Sequence, residues 1–379
     1  MIKYLGSKRA LLPWITSVVE FIRNHEPIQT ILDPFSGSGR VAHALKARGF
    51  HVIASDYATY AYILAKALVE SDAKRYPPAR LQPLLDYLNS LPGEPSWFTE
   101  KYAEKARFFQ PINASRIESI RKAIDKIAAQ DENLRAILLT SLLLAADKVD
   151  STTGLQMAYL KRWAPRAYQP LRLTYPPLLP GDGLAAQFEA LEAVRAHPAD
   201  LVYLDPPYNQ HAYLANYHVW ETLVRFDNPP TYGMVEKRAD VRTRKSPFNS
   251  REAAPKALAQ LLEAIQARVI LLSFSNEGYF TEADLYTLCQ EKGYVAILRH
   301  PHRRYIGAQI GIYNPAGEKV GQVSHLHNEE RLFVVSPRKA LVEAVEAAFA
   351  PVPSAKGLIR SGAWQGRDWT DCARNSAPQ

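Results

Sequence analysis

The length, composition and charge of this chain limit its architecture and its partners. Its 379 residues are 47% hydrophobic and 22% charged, which is the composition of an ordinary globular protein. The chain exceeds the usual size of a single domain, so we expect one large domain with an insertion, or two domains. The excess of 46 Lys and Arg over 38 Asp and Glu gives a net charge of +8, which is compatible with a polyanionic partner without proving one.

Cysteine content and apolar runs argue against a disulfide framework, a cysteine metal site, a membrane span and a signal peptide. Cys289 and Cys372 are too few for a disulfide framework and too far apart for a metal-binding spacing. No apolar run reaches the length that a membrane span needs, and no signal-peptide core follows the first residues. We therefore expect a soluble, intracellular protein without a bound metal.

A glycine-rich turn follows the first predicted strand. Thr30-Ile-Leu-Asp33 is a short apolar run, and Pro34-Phe-Ser-Gly-Ser-Gly39 leads from it into a helix at about 40–48. The next strand ends on Asp56, and this arrangement is typical of a nucleoside-binding α/β unit. A phosphate would also suit the turn, but no P-loop Lys follows, so a nucleoside or an amino acid is favoured. Asp56 could instead cap the next helix.

Residues from about 57 to 169 differ from the α/β pattern on either side. Helical periodicity at 60–69, 117–127 and 134–149 predicts a helical insertion. The insertion ends in a polar, basic and aromatic loop that contains Gln156, Lys161, Arg162 and Arg166. Side chains of these types can reach base edges in the major groove, although the segment could equally be a surface hairpin.

The α/β pattern resumes near Leu171. Gly181-Asp182 predicts a turn, and a helix is expected from Gly183 to Ala196. Further along the chain, helices at 255–267 and 281–292 enclose a strand at 269–274. The segment 294–335 predicts strands joined by a long hairpin, and 341–379 predicts a C-terminal helix with a loose tail.

The most informative stretch is Leu201-Val-Tyr-Leu-Asp-Pro-Pro-Tyr208. Its apolar first half predicts a buried strand, which Asp205, Pro206 and Pro207 end, because proline neither donates to a ladder nor continues a helix. The Asp205 carboxylate, the Pro206 carbonyl and the Tyr208 ring would lie at the strand's carboxyl end, where open α/β sheets bind ligands. This set suits a flat group with an amino donor, such as a nucleobase taken out of its stack. The alternative is a proline-rich turn.

Aromatic and basic segments follow this stretch. Tyr213, Tyr217 and Trp220 lie partly at helical spacing, which favours packing over base contact. Between 237 and 251, a single acid, Asp240, stands against six basic residues: Lys237, Arg238, Arg242, Arg244, Lys245 and Arg251. Such a cluster is usually a solvated surface, but after a ligand-binding turn in a basic protein it predicts contacts with phosphates.

Three motifs, in this order, resemble those of a known family. Tyr4-Leu-Gly-Ser-Lys8, Asp33-Pro-Phe-Ser-Gly-Ser-Gly39 and Asp205-Pro-Pro-Tyr208 are similar to the signature motifs of the D12-class (Dam-like) DNA adenine-N6 methyltransferases. The resemblance covers most of residues 1–340. It implies an α/β fold with a Rossmann-like methyltransferase sheet, mostly parallel, and helices on both faces. The catalytic domain would combine 1–56 with 170–340, and the helical insertion at 57–169 would recognise the target.

The resemblance also implies the ligands and the roles of the site residues. S-adenosylmethionine (S-adenosyl-L-methionine) would be the cofactor and double-stranded DNA the substrate. Tyr4 and Lys8 would border the methionine part of the cofactor, with Lys8 offering its charge to the carboxylate. Asp56 would hold the ribose, and Asp182 would meet the cofactor's adenine. The cofactor loop would be shaped by a continuous run: Asp33, Pro34, Phe35, Ser36, Gly37 and Gly39.

Asp205 and Pro206 would activate the target amine. The lone pair of adenine's exocyclic nitrogen is delocalised into the ring, so this amine is a poor nucleophile. If the Asp205 carboxylate and the Pro206 carbonyl accept its two hydrogens, the lone pair is localised toward the sulfonium methyl. Tyr208 would stack on the flipped base and contribute about 1–3 kcal/mol. Transfer then depends mainly on positioning.

Three alternative activities share parts of this pattern. Methylation of cytosine at N4 uses the same geometry, although Ser is usual there where this chain has Asp205. Methylation of adenine in structured RNA is a second alternative, and a sequence-specific DNA-binding protein without catalysis is a third. The resemblance predicts a bacterial-type cytoplasmic protein, associated with the nucleoid during its action. It would act in DNA marking or beside a cognate restriction endonuclease.

Overall fold

The computed structural model describes residues 1–158, 160–210, 212–276, 278–303, 312–313, 319–321 and 327–350. Three sequence predictions fall wholly or partly outside these ranges. They are the loose tail beyond residue 350, position 159 in the basic and aromatic loop at the end of the insertion, and much of the hairpin predicted within 294–335.

Strands occur on both sides of the helical segment. In the described ranges they are β1 Thr30–Asp33, β2 His51–Ser55, β3 Gly183–Ala186, β4 Leu201–Leu204, β5 Thr231–Tyr232, β6 Lys237–Arg238, β7 Val269–Ser275, β8 Tyr294–Arg303, β9 Ile312–Tyr313, β10 Lys319–Gly321 and β11 His327–Ser336. Seven of them form one sheet in the order β3-β2-β1-β4-β7-β11-β8. Strands β5 and β6 form a separate antiparallel pair, and so do β9 and β10.

The large sheet is mostly parallel. Each neighbouring pair from β3 to β7 runs parallel, whereas β11 is antiparallel to both β7 and β8. The chain proceeds from β1 to β2 on one side, and β4 lies on the other side of β1, so the strand order reverses between β1 and β4. In open α/β sheets this switch point is where ligands bind, outside the carboxyl ends of the strands. We call that side of the sheet its carboxyl edge.

Helices flank the sheet and build the segment between β2 and β3. In the part of the chain that the structure describes, the α-helices are α1 Leu12–Arg23, α2 Arg40–Lys46, α3 Thr59–Ala65, α4 Pro78–Ser90, α5 Trp97–Thr99, α6 Pro111–Ile127, α7 Glu132–Val149, α8 Ala190–Ala196, α9 Tyr213–Asn216, α10 His218–Arg225, α11 Ala254–Ala264, α12 Glu282–Gln290 and α13 Lys339–Phe349. A π-helical segment, Lys66–Glu70, continues α3. None of the helices described is long and apolar enough to cross a membrane.

Two apolar layers sandwich the sheet because successive side chains of a strand point to opposite faces. On one face, Ile31, Leu201 and Leu271 pack with α1, α2 and α13. On the other, Leu32 and Val202 pack with α8, α11 and α12. The expected α/β sheet with helices on both faces is confirmed.

The helical segment has its own core. Side chains of α4, α6 and α7 are buried together, and this cluster also contains Trp220 and Leu223 of α10. The helical core therefore includes a segment that follows β4, outside the predicted insertion at 57–169. The first helix of that range, α3, also packs on the sheet through Ala65.

Most predicted elements agree with the structure, and one does not. Strands β1, β2 and β4 are confirmed, as are the helices at 117–127 and 134–149, within α6 and α7. The helix expected from Gly183 is wrong, because Gly183–Ala186 forms β3 and only 190–196 is helical. Residues 183–186 pair with Val52–Ser55 of β2, so tertiary pairing decides the conformation of this weakly patterned segment.

Candidate active site

A cleft lies at the carboxyl edge, across the switch between β1 and β4. Asp33 ends β1, Asp56 follows β2 directly, and Asp205 follows β4. The cleft measures about 850 Å³ including its open mouth, and it is lined by residues 4–8, 33–38, 56–58 and 188–190, with Asp205, Pro207, Tyr213, Ser246 and Asn249. Three sequence motifs far apart in the chain therefore meet in one site.

The glycine loop after β1 has a backbone shape that other residues adopt poorly. Gly37 has a φ of 49° and Gly39 a φ of 73°, both in the left-handed region. A Cβ atom on Gly37 would lie 3.0 Å from the hydroxyl oxygen of Tyr4, so the Tyr4 side chain fits over the loop only because Gly37 has none. The Ser36 N–H donates to the Ser55 carbonyl at 3.0 Å and ties the loop to β2.

Asp56 holds the glycine loop and faces the cleft. Its Oδ2 accepts from the Gly37 N–H at 3.0 Å, and its Oδ1 accepts from the Ala58 N–H at 2.9 Å. Burial raises the pKa of Asp56 to about 6, while these two amide donors act in the lowering direction. Each carboxylate oxygen can accept more than one hydrogen bond. The helix-capping alternative is therefore compatible with a ligand-binding role.

Two serine hydroxyl groups in the cleft wall fit a polar ligand. In the part of the chain described here, the Oγ atoms of Ser7 and Ser36 are buried and have no hydrogen-bond partner. Both residues line the cleft beside the glycine loop. Because buried hydroxyl groups are normally hydrogen-bonded, these two indicate a ligand with polar groups at this end of the cleft.

Two other tyrosine rings stack on Tyr4. It stacks on Tyr213 with ring centroids 5.2 Å apart and on Tyr217 with centroids 4.7 Å apart. The Leu5 N–H donates to the Tyr217 hydroxyl at 2.6 Å. Tyr213 and Tyr217 pack, as predicted from their spacing, and Tyr213 also lines the cleft.

Lys8 lies between two carboxylates. Its Nζ is 2.9 Å from Oδ1 of Asp205 and 2.7 Å from Oε1 of Glu330. The ammonium group is buried and its charge is balanced by the protein itself. The contact of Lys8 with the carboxylate of the cofactor stays a prediction, and in the structure the charge of Lys8 is shared by two protein carboxylates.

The charges of the cleft are strongly coupled. Burial raises the pKa of Asp205 to about 6; Lys8 acts in the lowering direction and Glu330 in the raising direction. Burial disfavours the charged form of Lys8, but Asp205 and Glu330 outweigh it and raise the pKa of Lys8 well above its usual value. Burial and the nearby Asp205 charge raise the pKa of Asp33 well above that of an ordinary aspartate. The site therefore holds carboxyl groups that gain protons at mildly acidic pH.

The turn after Asp205 is fixed by contacts of Tyr208 with neighbouring segments. Pro206 is buried, and Pro207 lines the cleft. The Tyr208 carbonyl accepts from the Tyr279 N–H at 3.0 Å, and the Tyr208 ring lies 5.8 Å from that of Phe274, centroid to centroid. Tyr208 is half-buried, so its ring is supported by the sheet while part of it stays accessible.

Asp182 is not part of the cleft. It is exposed and precedes β3, so it lies at the amino end of a strand that runs parallel to β2, on the side of the sheet opposite the carboxyl edge. This corrects its predicted role at the cofactor's adenine. At the carboxyl end of the same strand, Phe188 and Glu189 line the cleft instead. Predicting β3 as a strand would have pointed to them.

Gln156 is a buried structural residue. Its side-chain Oε1 accepts from the Val219 N–H at 2.8 Å, and its carbonyl lies 2.9 Å from Nε2 of His218. Both partners lie at the start of α10. This corrects the prediction that Gln156 reads base edges.

Arg166 is tied to the loop that contains it. Its Nε donates to Oδ1 of Asp150 at 2.9 Å, and its Nη2 donates to the Thr152 carbonyl at 2.6 Å. These bonds shape the loop, and the base contact of Arg166 stays a prediction. Lys161 and Arg162, in the same loop, are exposed.

The basic cluster at 237–251 divides into internal and surface residues. Arg238 is buried and pairs with Asp227 at 2.7 Å, and Arg244 pairs with the buried Glu221 at 2.9 Å. The phosphate contact predicted for Arg244 is therefore corrected. Arg242 is exposed, with its guanidinium 3.8 Å from the centroid of the Tyr232 ring. Lys245 is also exposed and directly precedes Ser246, which lines the cleft.

Two kinds of site residue were missed by sequence reasoning. Glu330 was not noticed because an acid at the start of a strand is usually solvent-exposed. Ser246 and Asn249 lie in an irregular segment that carries no motif. Among the described residues, no group of three or more His, Cys, Asp or Glu side chains could hold a metal ion.

Comparison with known proteins agrees with the geometry. The family model of the D12 class N6 adenine-specific DNA methyltransferases matches residues 4–288. The modification methylase StsI of Streptococcus sanguinis is 31% identical over 322 residues, which cover 80% of this chain and 48% of that protein. The type II methyltransferase M.FokI of Planomicrobium okeanokoites is 28% identical over 366 residues, 91% of this chain and 54% of that protein.

A shorter relative matches over nearly its whole length. The type II methyltransferase M.NlaIII of Neisseria lactamica is 26% identical over 313 residues, which cover 80% of this chain and 92% of that protein. In contrast, this chain spans about half the length of the StsI and FokI proteins.

Proposed function

This chain belongs to the D12 class of N6 adenine-specific DNA methyltransferases, and we propose that it transfers a methyl group from S-adenosylmethionine to the N6 amino group of adenine in a specific sequence of double-stranded DNA. The observation that carries the proposal is the position of Asp205. It lies at the end of β4, in the same cleft as the glycine loop and Asp56. A cofactor held by the loop and a base held by Asp205 would therefore be neighbours.

The residues of the cleft fit the cofactor. The glycine loop admits close approach of a ligand, Asp56 offers carboxylate oxygens, and Ser7 and Ser36 offer buried hydroxyl groups. Bound there, S-adenosylmethionine would supply an electrophilic methyl group on a sulfonium centre. We propose that Asp56 accepts from the ribose hydroxyls, and that Phe188 and Glu189, rather than Asp182, lie beside the cofactor's adenine.

Asp205 and Pro206 would prepare the nucleophile. One oxygen of Asp205 already receives Lys8, which leaves the other to accept one amino hydrogen of the base, while the Pro206 carbonyl accepts the second. This arrangement would direct the nitrogen lone pair toward the methyl group that a bound cofactor supplies. The product amine carries one proton too many, which leaves to the Asp205 carboxylate or to water. Tyr208 would support the flipped base by stacking.

Exposed basic residues near the cleft would hold the duplex. We assign phosphate contacts to Arg242 and Lys245, and contacts of the helical segment to Lys161 and Arg162. Arg166, Gln156 and Arg244 are left out because their polar groups bind the protein itself. The names of two relatives, a modification methylase and a type II methyltransferase, support a role in DNA modification. We further propose that the chain acts beside a cognate restriction endonuclease, on DNA at the nucleoid of a bacterial-type cytoplasm.

The proposal is tested by the base that becomes modified. The purified chain is incubated with S-adenosylmethionine and duplex DNA, and modified positions are mapped by single-molecule sequencing. We expect N6-methyladenine in one short sequence, and no product from an Asp205→Ala variant that still binds the cofactor within a few-fold of the parent. Methylcytosine at the mapped sites would contradict the adenine assignment. Methylation of structured RNA but not of duplex DNA would contradict the choice of nucleic acid. Cofactor binding without any methyl transfer would favour a DNA-binding protein.

A further inference from the structure

A relay of polar contacts connects the interior of the sheet to Asp205. The Ser273 hydroxyl donates to Oε1 of Glu330 at 2.5 Å, and Lys8 Nζ donates to the same oxygen at 2.7 Å. Lys8 Nζ is also 2.9 Å from Oδ1 of Asp205. The relay thus joins three neighbouring strands, because Asp205 follows β4, Ser273 lies on β7 and Glu330 on β11.

The reversed direction of β11 brings Glu330 to the site. In a parallel strand the first residues lie at the edge away from the cleft. Because β11 is antiparallel to β7, its amino-terminal part reaches the carboxyl edge, where Glu330 is paired with Ser275 in the ladder. Glu330 lies beyond residue 288, so it is outside the segment that matches the family model.

The three charged groups depend on one another. Glu330 is 2% exposed and Lys8 6% exposed, so neither could keep a charge cheaply without a partner. With Asp205 they form a set of two carboxylates and one ammonium group. Lys8 is held between the two carboxylates and cannot turn toward one without leaving the other. Glu330 thereby fixes the position of Lys8, and Lys8 fixes the position of one oxygen of Asp205.

We propose that Glu330 is a positioning residue for methyl transfer: through Lys8 it holds Asp205 with Oδ1 occupied and Oδ2 available to the amino group of the target base. This inference rests on the proposed function. Removing the Glu330 charge would leave Lys8 to Asp205 alone, so the carboxylate would be drawn toward the ammonium group and would accept the amino hydrogen less well. Ser273 would support this positioning, because its hydroxyl group donates to the Glu330 carboxylate and fixes it.

Other charged or titratable groups near Asp205 also influence how the transfer rate depends on pH. They come from several elements and comprise Lys8, Asp33, Tyr203, Tyr208, Tyr213 and Glu330. Burial raises the pKa of Tyr203 and Tyr213 well above the usual tyrosine value, so both stay neutral at the pH values of interest. Asp33 is present in the parent and in every variant below. A difference between variants therefore reports the change at Glu330.

The test compares Glu330→Gln with Glu329→Gln, the neighbouring residue, which pairs with Arg331 on the opposite face of β11. Single-turnover methyl transfer is measured from pH 5 to pH 9, and cofactor and DNA affinities are measured by calorimetry. We expect Glu330→Gln to lower the plateau rate by about 10- to 100-fold, the size of effect that a small displacement of a catalytic group produces. Its acid limb should move to lower pH, because the nearby negative charge is gone. Both affinities should stay within a few-fold, and Glu329→Gln should match the parent.

A second measurement does not depend on activity. The ionisation of the Asp205 carboxyl is followed by carbon-detected NMR in the protein without cofactor, and its pKa should be lower in Glu330→Gln than in the parent. Ser273→Ala, which keeps every charge, should lower the transfer rate by a smaller factor and serves if Glu330→Gln does not fold.

The inference would be overturned if a folded Glu330→Gln protein kept both the parental rate and the parental pKa of Asp205. A plateau rate equal to that of the parent would overturn the positioning role even if the pKa of Asp205 changed. A parent chain without methyl transfer on any nucleic acid would overturn the proposed function instead. The two failures are distinguishable.

Discussion

Arg244 and Glu221 form an ion pair that joins the basic segment to the interior of the protein, with Nη1 of Arg244 2.9 Å from Oε1 of Glu221. The Glu221 side chain has no solvent exposure. The same carboxylate accepts from the Thr59 hydroxyl at 2.8 Å and from the Tyr60 N–H at 3.1 Å, so it also fixes the start of α3, just after Asp56. An arginine in a cluster typical of phosphate binding therefore supports, through Glu221, the start of α3 next to Asp56.

Arg244→Ala should destabilise the fold without changing the salt dependence of DNA binding. The substitution leaves Glu221 with fewer donors in a buried position, and we expect the free energy of unfolding to fall by about 1–3 kcal/mol. Urea unfolding measures the loss, and binding to duplex DNA at several salt concentrations measures the slope. A flattened salt slope in a protein of parental stability would show that Arg244 contacts phosphate after all.

Arg242→Ala combined with Lys245→Ala should weaken binding to cognate and random duplex DNA alike. Both side chains are exposed, and each phosphate contact that is lost should reduce the log–log salt slope by roughly one unit. Salt titrations on two duplexes check this prediction. Arg48→Ala is a matched control, because Arg48 lies beyond the end of α2, away from the cleft, where it pairs with Glu20. An unchanged slope in the double variant would place the cluster on a solvated surface.

Asp56→Ala should weaken cofactor binding more than DNA binding. The substitution removes the carboxylate that accepts from Gly37 and that we assign to the ribose hydroxyls. Loss of hydrogen bonds to a charged group predicts a decrease in cofactor affinity of about 10- to 100-fold. Calorimetry with S-adenosylmethionine and with duplex DNA separates the two affinities. Lys8→Ala is the contrasting variant. Because the ammonium group of Lys8 pairs with Asp205 and Glu330, we expect this substitution to reduce the transfer rate more than the cofactor affinity.

The transfer rate should fall as the pH decreases through about 6. Asp205 accepts the amino hydrogen more strongly as the carboxylate than as the protonated acid, and burial raises its pKa to about 6. Single-turnover rates with saturating cofactor and DNA measure the acid limb, and a limb centred near the pKa of an ordinary aspartate would contradict the assignment.

The raised pKa of Asp205 should make the folded state more stable at low pH, where the transfer rate is lower. Because the folded state binds the proton more tightly than the unfolded state, the contribution of Asp205 to stability is largest below about pH 4, the unfolded value, and is lost as the pH rises through the folded value. As the pH rises from about 4 to about 6, the free energy of unfolding should therefore decrease less for the Asp205→Asn protein than for the parent.

The sheet could be predicted where apolar runs ended in strongly marked turns. Thr30–Asp33 and Leu201–Leu204 are bounded by acids, glycines and prolines, and both are strands with the predicted limits. The segment Gly183–Ala186 has no such pattern. It is a strand because it pairs with β2, and a Cβ atom on Gly183 would lie 2.6 Å from the carbonyl oxygen of Val69. Information about that close approach is not contained in the segment itself.

The charged residues of the site could be predicted less well than its motifs. Arg166 pairs with Asp150, 16 positions earlier in the chain, and Arg238 pairs both with Asp227, 11 positions earlier, and with the nearby Asp240. Of the two carboxylates that pair with Lys8, Glu330 is 322 positions away in the chain. Residue type and local spacing identify a basic cluster, but they do not show which of its members the folded chain turns inward. That distinction decides between a DNA contact and a scaffold contact.

The stacking of Tyr4 on Tyr213 and Tyr217 also constrains the order in which the cleft wall can form during synthesis. Both rings that stack on Tyr4 follow it by more than two hundred residues in the chain. A nascent chain that has completed β1, the glycine loop and β2 therefore contains Tyr4 but neither of its two partners. A chain stopped before α9 would have four of the seven strands of the large sheet, and its Tyr4 would lack the rings that support it in the finished fold.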